Sequence, residues 1–389
     1  MRLAIISSHP IQYNAPWFAL LAKSANIQVK VFYTWGQLAS EKKFDPGFGK
    51  EIAWDIPLLE GYDFTFIPNI SKQPGTHHFR GIINPMLISE IEVFQPGAVL
   101  VFGWAFDSHL KVLRYFKGRL PVLFRGDSTL LDEEKGFKKL LRRFFLRWVY
   151  RHIDYALYAG ENNKQYFIAH GIKQRQLVFA PHAVDNNRFT ADADRAIPNM
   201  RVSRKKLGIE EGDFVLLFAG KFEVKKNPFF IIELAKKITH PRAKFLMVGN
   251  GAEKDNILRA ASSDKRIIFS DFQNQKEMPL IYTLADVFIL PSIGPGETWG
   301  LSVNEAMACK KPVLVSCKAG CAADLVMENK NGLIIDTADT GETVNYINQL
   351  MLDTAKLRQM GNISFGHIQN FSFEKIVQAI ENLFLKNNP

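Results

Sequence analysis

Short runs of apolar, mostly β-branched residues recur along the chain, separated by amphipathic stretches of helical period. They predict strands at Leu3–Ser7, Gln28–Tyr33, Ala98–Phe102, Pro121–Phe124, Tyr155–Tyr158, Leu177–Phe179, Phe214–Ala219, Lys244–Val248, Ile267–Phe269, Val287–Leu290, Val313–Val315 and Gly332–Ile335. Helical patterns such as Ala15–Ser24, Phe229–Ile238 and Met278–Leu284 lie between them. Continuously apolar strands alternating with helices predict parallel sheets covered on both faces.

The alternation breaks at Asp185–Lys206, a polar stretch with scattered charges and one proline, which reads as a linker. The expected domains are residues 1–190 and 207–372. The amphipathic final helix, Phe373–Phe384 within residues 373–389, is expected to pack on either of them. Each half restarts with a strand, a turn and a helix. The fold class is therefore α/β, with two doubly wound Rossmann-like domains facing across a cleft at the carboxyl ends of their strands.

Composition narrows the class. The chain has 389 residues, 47% hydrophobic and 23% charged, which excludes wholesale disorder and leaves apolar material for two cores. No apolar run approaches the ~18 residues of a membrane-spanning helix. Three cysteines, Cys309, Cys317 and Cys321, are too few and too clustered for a disulfide framework. A cytoplasmic protein is expected.

Charge is uneven. The net charge is +10, and residues 1–190 hold 24 basic against 16 acidic side chains. An anionic partner on that half is one reading, and a solvated basic surface is the other. Lys135–Arg151 concentrates seven cations and no acid, with Phe137, Leu140, Leu141, Phe144, Phe145, Trp148 and Val149 at helical spacing. The apolar side is expected mainly to pack on the sheet, and the cations to attract an anionic membrane surface.

The most informative segment is Pro291–Ser316. A strand ends at Leu290, a Gly/Pro loop follows, and Gly300–Leu301 opens a helix whose first N–H groups can bind an anion. Glu297 and Glu305 stand eight residues apart, one before that helix and one inside it. Ionised carboxylates accept only, so two beside a phosphate site suit sugar hydroxyls. Taken singly, Glu297 reads instead as a helix-start acid complementing the dipole and Glu305 as part of a solvated face. In a second segment, Phe218–Pro228, Lys221 and Lys226 follow a strand and Gly220, and two ammonium groups there can neutralise a diphosphate.

Together these segments resemble the retaining family-4 glycosyltransferases, the group-1 glycosyl transferases of GT-B fold. Gly220–Lys221–Phe222 and Lys226 match the family's GRL-x-x-x-K. Glu297–Thr298–Trp299–Gly300–Leu301 through Glu305–Ala306–Met307–Ala308 is similar to its E-F-G-L-x-x-x-E-A-M-A block. Val248–Gly249–Asn250–Gly251, Ala285–Asp286–Val287 with Pro291–Ser292, and Pro181–His182–Ala183–Val184–Asp185 with Phe189 match three further motifs in order.

The resemblance implies transfer of a sugar, with retention, from a nucleoside-diphosphate sugar to a saccharide or lipid-linked acceptor in cell-surface polysaccharide or glycolipid biosynthesis. It places Glu305 on the ribose, the Gly300 and Leu301 amides on the diphosphate, Lys221 and Lys226 on the departing phosphates, and Glu297 on the transferred sugar. Phe272 is expected at the base, and Thr298, Trp299, Gly220 and Gly249 complete the donor site. No metal or cofactor is expected, because the lysines and the helix start supply the charge.

The chain departs from the pattern at four places. Lys221 replaces an arginine, and Gly320–Cys321–Ala322–Ala323–Asp324 replaces G-G-x-x-E. Ser7–Asn14 replaces the G-G turn after the first strand, offering His9, Gln12, Tyr13 and Asn14, together with Arg125, to an acceptor. Asp127, beside Arg125, stands near the usual histidine; it is a candidate to orient or deprotonate the acceptor hydroxyl, and equally an Asx turn or helix cap. Asp192–Ala193–Asp194 spells a D-x-D but lies in the expected linker, and His77–His78 has no further ligand spacing. Two rival readings are a GT-B nucleotide-sugar epimerase and a non-catalytic basic nucleic-acid-binding protein. No RRM, KH or zinc pattern supports the latter, so no nucleic-acid partner is expected. The basic half and the seven cations of Lys135–Arg151 make peripheral contact with the inner face of the plasma membrane an expectation, one suited to a lipid-linked acceptor.

Overall fold

The computed structural model describes residues 1–36, 43–45 (backbone only), 47–133 and 136–385, without the side chains of Lys50 and Lys138. Lys135, counted among the seven cations, and the 386–389 end of the expected final helix lie outside the described residues. The strands are β1 (Arg2–Ser7), β2 (Gln28–Tyr33), β3 (Lys43–Asp45), β4 (Lys50–Ile52), β5 (Asp63–Phe66), β6 (Ala98–Phe102), β7 (Val122–Arg125), β8 (Tyr155–Tyr158), β9 (Leu177–Phe179), β10 (Phe214–Ala219), β11 (Ala243–Val248), β12 (Ile267–Ser270), β13 (Val287–Leu290), β14 (Val313–Ser316) and β15 (Gly332–Ile335).

Two compact units form. The first comprises Met1–Lys42, Ile56–His182 and Phe373–Pro389, and the second Lys43–Asp55 and Ala183–Ser372. The first unit holds a seven-stranded sheet of order β5-β2-β1-β6-β7-β8-β9. Its pairs are parallel, with Ile5 opposite Val31 on one side and Leu100 on the other. The second unit holds a six-stranded parallel sheet of order β12-β11-β10-β13-β14-β15, in which Leu217 lies opposite both Leu246 and Phe288. In each sheet the order reverses beside the first strand, which opens a crevice at the carboxyl ends there. In the second unit that point lies between β10 and β13.

The core explains why these strands were legible. Every residue of β10 is buried, and the same holds for β13 and β14, as expected where helices cover both faces. β5 was not predicted. It is a short edge strand whose residues are exposed or only half-buried, so no apolar run marks it.

Three expectations are corrected. Asp185–Lys206 is not a linker: Asn186–Lys206 forms a 21-residue helix belonging to the second unit. The Asp185 carboxylate caps it by accepting from the Arg188 N–H at 2.9 Å. Its scattered charges are neighbours along the helix, as in Asp192–Arg195 at 2.9 Å, while Phe189 and Ala193 are buried. Second, a division at residue 190 fails at both of its ends, because Lys43–Asp55 groups with the second unit and Ala183 onward does too. The hairpin of β3 and β4 is antiparallel and so needs no crossover. Third, in the basic helix Phe137–Tyr150 packing takes Leu146, Val149 and Tyr150, with Trp148 half-buried against the same core, and the apolar residues from Phe137 to Phe145 stay largely exposed. The final helix, Phe373–Leu385, belongs to the first unit, where Ser24 donates to Glu381 at 2.5 Å.

Candidate functional site

In the second unit, β10 runs into Gly220 and a turn that ends in the short 3₁₀ segment Val224–Lys226. Asn227 adopts the left-handed conformation (φ 52°), stopping that segment before Pro228 opens the next helix. The loop after β13 is tied alongside, the Ile293 N–H donating to the Lys225 carbonyl at 2.9 Å. Lys226 and Glu297 thereby meet in a direct ion pair, and Ser292, fully buried, donates its hydroxyl to the same Glu297 carboxylate at 2.9 Å. Glu297 is only 7% exposed, and its carboxylate is held by these two partners rather than by solvent.

Gly300 then opens the helix Leu301–Ala308 with φ 114°, and a Cβ there would lie 2.6 Å from Leu290 Cδ2. Only glycine meets both demands. The loop is pinned from the far side: the Gly320 N–H donates to the Glu297 carbonyl (2.9 Å) and the Cys321 N–H to the Trp299 carbonyl (3.1 Å). A Cβ on Gly320 would fall 1.8 Å from the Thr298 carbonyl oxygen, so this glycine is needed for backbone contact whatever its other role. Cys321 sits buried behind Gly300, and burial holds its thiol well above the ordinary range, which makes it a packing residue.

Glu305, one turn into the helix, is 3% exposed. Its carboxylate accepts from the Tyr282 hydroxyl at 2.8 Å and from Gln275 Nε2 at 3.3 Å, and Arg188 holds Gln275 through two bonds of 2.9 Å. A carboxylate has roughly four acceptor positions, so this support orients Glu305 without exhausting it. Gln275, Tyr282 and Arg188 were not singled out in the sequence, since each is an ordinary residue brought in from a separate element.

Lys221 lies beside the same turn. Its stem packs over Gly47, and its ammonium stands 5.0 Å from the centroid of Phe48. Phe272, the expected base contact, meets Phe48 at 4.6 Å and Trp54 at 6.5 Å between ring centroids. Asn274 donates to the Ala53 carbonyl (2.7 Å), and Asp55 accepts from the Lys276 N–H (3.1 Å). A segment from the N-terminal part of the chain thus lines this end of the crevice, which no local motif indicated.

Two expected donor residues are structural. The Trp299 indole is buried, donates to Asn304 Oδ1 at 2.8 Å and packs on Phe371, so its side chain faces the interior. Gly249 (φ 149°) lets β11 approach Gly220, whose carbonyl oxygen would be 1.9 Å from a Cβ.

In the first unit the expected acceptor residues separate. Arg125 ends β7 and is 5% exposed; it donates to the Ala180 and Pro181 carbonyls at 2.8 and 2.9 Å. This corrects its assignment as an acceptor contact: it ties β7 to the segment after β9, and burial lowers its pKa to about 10. The half-exposed Asp127 stands 3.9 Å from His182 Nε2. His182 was noticed only as part of a motif; burial and the Arg125 charge push its pKa down to about 4, which keeps the imidazole neutral at pH 7. Past β1, His9 shares a 2.9 Å hydrogen bond with Ser8 and packs edge-on against Trp35. Gln12 and Tyr13 are half-buried, and Asn14 begins the helix Ala15–Ala22.

Asp192 and Asp194 do not form a pair. They project from a helix, and Asp194 bonds Lys310 at 3.0 Å. Among the described residues no three His, Cys, Asp or Glu side chains cluster to hold a metal ion, and no helix is long and apolar enough to cross a membrane.

Residues 199–365 match the family described as glycosyl transferases group 1. The chain is 27% identical over 213 residues to spore coat protein SA of Bacillus subtilis, covering 51% of this chain and 55% of that protein. It is 27% identical over 288 residues to the Escherichia coli UDP-Gal:alpha-D-GlcNAc-diphosphoundecaprenol alpha-1,3-galactosyltransferase, covering 69% and 72%. The chain spans about half the length of most curated relatives it matches. Its structure resembles that of HepE from Anabaena, crystallised with UDP and glucose, at a TM-score of 0.71 and 19% identity over 99% of this chain and 100% of that one. Two Rossmann-like parallel sheets match the GT-B architecture. Residues 199–365, which hold the lysines, the glutamates and the Gly300 helix start, are thus the part of the chain that matches the group 1 glycosyl transferases.

Proposed function

We propose that the chain moves a sugar from a nucleoside-diphosphate sugar to an acceptor hydroxyl with retention of configuration. The buried Lys226–Glu297 pair at the Gly300 helix start carries this reading, because it sets a cation, a carboxylate and helix N–H groups at one switch point. The diphosphate lies against those N–H groups, with Lys221 and Lys226 neutralising the charge that grows as the C1–O bond breaks. Glu305 accepts from the ribose hydroxyls, and Glu297 from the sugar.

The acceptor oxygen attacks C1 on the face the diphosphate leaves, and its proton passes to a phosphate oxygen. Orientation and charge stabilisation are the enzyme's contribution, and no metal is required. Asp127 with His182 holds the acceptor hydroxyl. The Escherichia coli relative is named for a diphosphoundecaprenol-linked acceptor and HepE was crystallised with UDP and glucose, which supports a UDP-sugar and a lipid-linked saccharide.

The test is turnover with a panel of UDP-, GDP- and dTDP-sugars, the anomeric configuration of the product being read by NMR. Glu305→Gln is expected to raise KM for the donor, and Glu297→Gln to lower kcat more than it changes KM. Wild-type constants in both variants, or an inverted product, overturn the assignment.

A further inference from the structure

The helix Phe137–Tyr150 is apolar on more than one side, and the first unit's core covers only its C-terminal part. Leu146, Val149 and Tyr150 are buried, and Trp148 is half-buried against the same core. Phe137, Leu140, Leu141 and Phe144 are 73%, 50%, 55% and 63% exposed. At about 100° per residue these four fall within an arc of roughly 100° on the side opposite Leu146. Phe145, at the border, leans on Trp104 with ring centroids 5.3 Å apart.

Cations lie beside the outward stripe. Arg147 borders it and Arg151 continues along it past the helix end, both exposed. The helix carries no acid. Glu133, just before it, accepts from Lys139 at 2.6 Å and Arg143 at 3.1 Å, so those two cations are turned back toward the chain.

Charge decides what covers this stripe. A second copy docked by a twofold axis would bring together two helices that carry cations and no acid. A nucleic acid would meet the cations and leave the aromatic and leucine side chains in water. An anionic bilayer satisfies both, taking the apolar stripe into the acyl boundary and the arginines at the phosphates. We propose that the chain lies on anionic membrane through this helix as a monotopic anchor, with Phe137, Leu140, Leu141 and Phe144 inserted. The inference does not depend on the transfer reading: a chain that binds vesicles but transfers no sugar would leave it standing.

The experiment is co-sedimentation of the full chain with phosphatidylcholine vesicles, with and without phosphatidylglycerol. Wild type is expected to pellet with the anionic vesicles and to be released only partly by salt, since screening acts on the charges and not on the inserted side chains. Changing Arg147 and Arg151 to glutamine should weaken binding roughly twenty-fivefold, at about fivefold per cation. Leu140→Ser with Phe144→Ser should weaken it at least as much and abolish the salt-resistant fraction. Both are surface changes, and an unaltered thermal midpoint verifies the fold. Absence of pelleting by wild type at low salt, equal pelleting of the serine variant, or a dimer that the serine variant dissolves would overturn the proposal, as would oligonucleotide binding in place of vesicle binding.

Discussion

Removing Lys226 should destabilise the second unit before any substrate is added. The Lys226 and Glu297 side chains are 18% and 8% exposed, and Ser292 is the other donor to that carboxylate. Lys226→Met keeps the stem and deletes the charge, so the Glu297 carboxylate remains buried beside one hydroxyl. Breaking a buried pair in this way costs about 3–5 kcal/mol, and the partial exposure of the lysine favours the lower end. For a unit of this size, 1 kcal/mol moves Tm by about 2–4 °C, so a fall of roughly 10 °C is expected. Glu297→Gln in the same background removes the stranded charge and should recover more than half of the loss. Urea unfolding of the four proteins closes the cycle, and UDP titration on each reports whether the nucleotide still adds stability. A Lys226→Met protein within about 1 kcal/mol of wild type, or a double variant no more stable than it, would refute the argument that the pair is buried and mutually neutralising.

Three further outcomes are expected. Lys221→Ala should lower kcat on the order of 10²-fold by loss of one preorganised cation, while Lys221→Arg keeps most of it; equal losses in steady-state assays would contradict the phosphate role. Saturating EDTA and the Asp192→Asn, Asp194→Asn variant should leave transfer near wild type, because Asp194 is held by Lys310; a magnesium-reversible loss would sink metal independence. His109, fully buried between the Phe102 carbonyl and Thr34, has its pKa lowered by desolvation to about 4. It is neutral when folded but takes a proton when unfolded below about pH 6.5, so stability falls by up to about 1.4 kcal/mol per pH unit between pH 6.5 and 4. Urea midpoints across that range should show a shallower slope in His109→Gln; identical slopes would remove His109 from the account.

How much was legible depended on whether a residue's role is local. The buried strands, the Gly300 helix start and the order of the motifs were readable, because continuous apolar runs and strand–glycine–helix turns are written in consecutive residues. The pairing of Lys226 with Glu297 was not, since 71 positions separate them and only the adjacency of β10 and β13 joins their loops. The same holds for Gln275 and Tyr282 around Glu305, and for Phe48 and Trp54 beside Phe272. Charge patterning misled at Asn186–Lys206, where polar residues looked like a linker until the helix brought them within i,i+3 and i,i+4 reach. The basic helix misled in the opposite sense. Its sequence shows an apolar set wide enough to wrap around the helix, but which arc is buried depends on where the sheet lies. The sequence alone therefore determined local geometry and chemistry in kind; the tertiary structure decided which groups share low-dielectric space, and hence which are paired, neutral or left facing water.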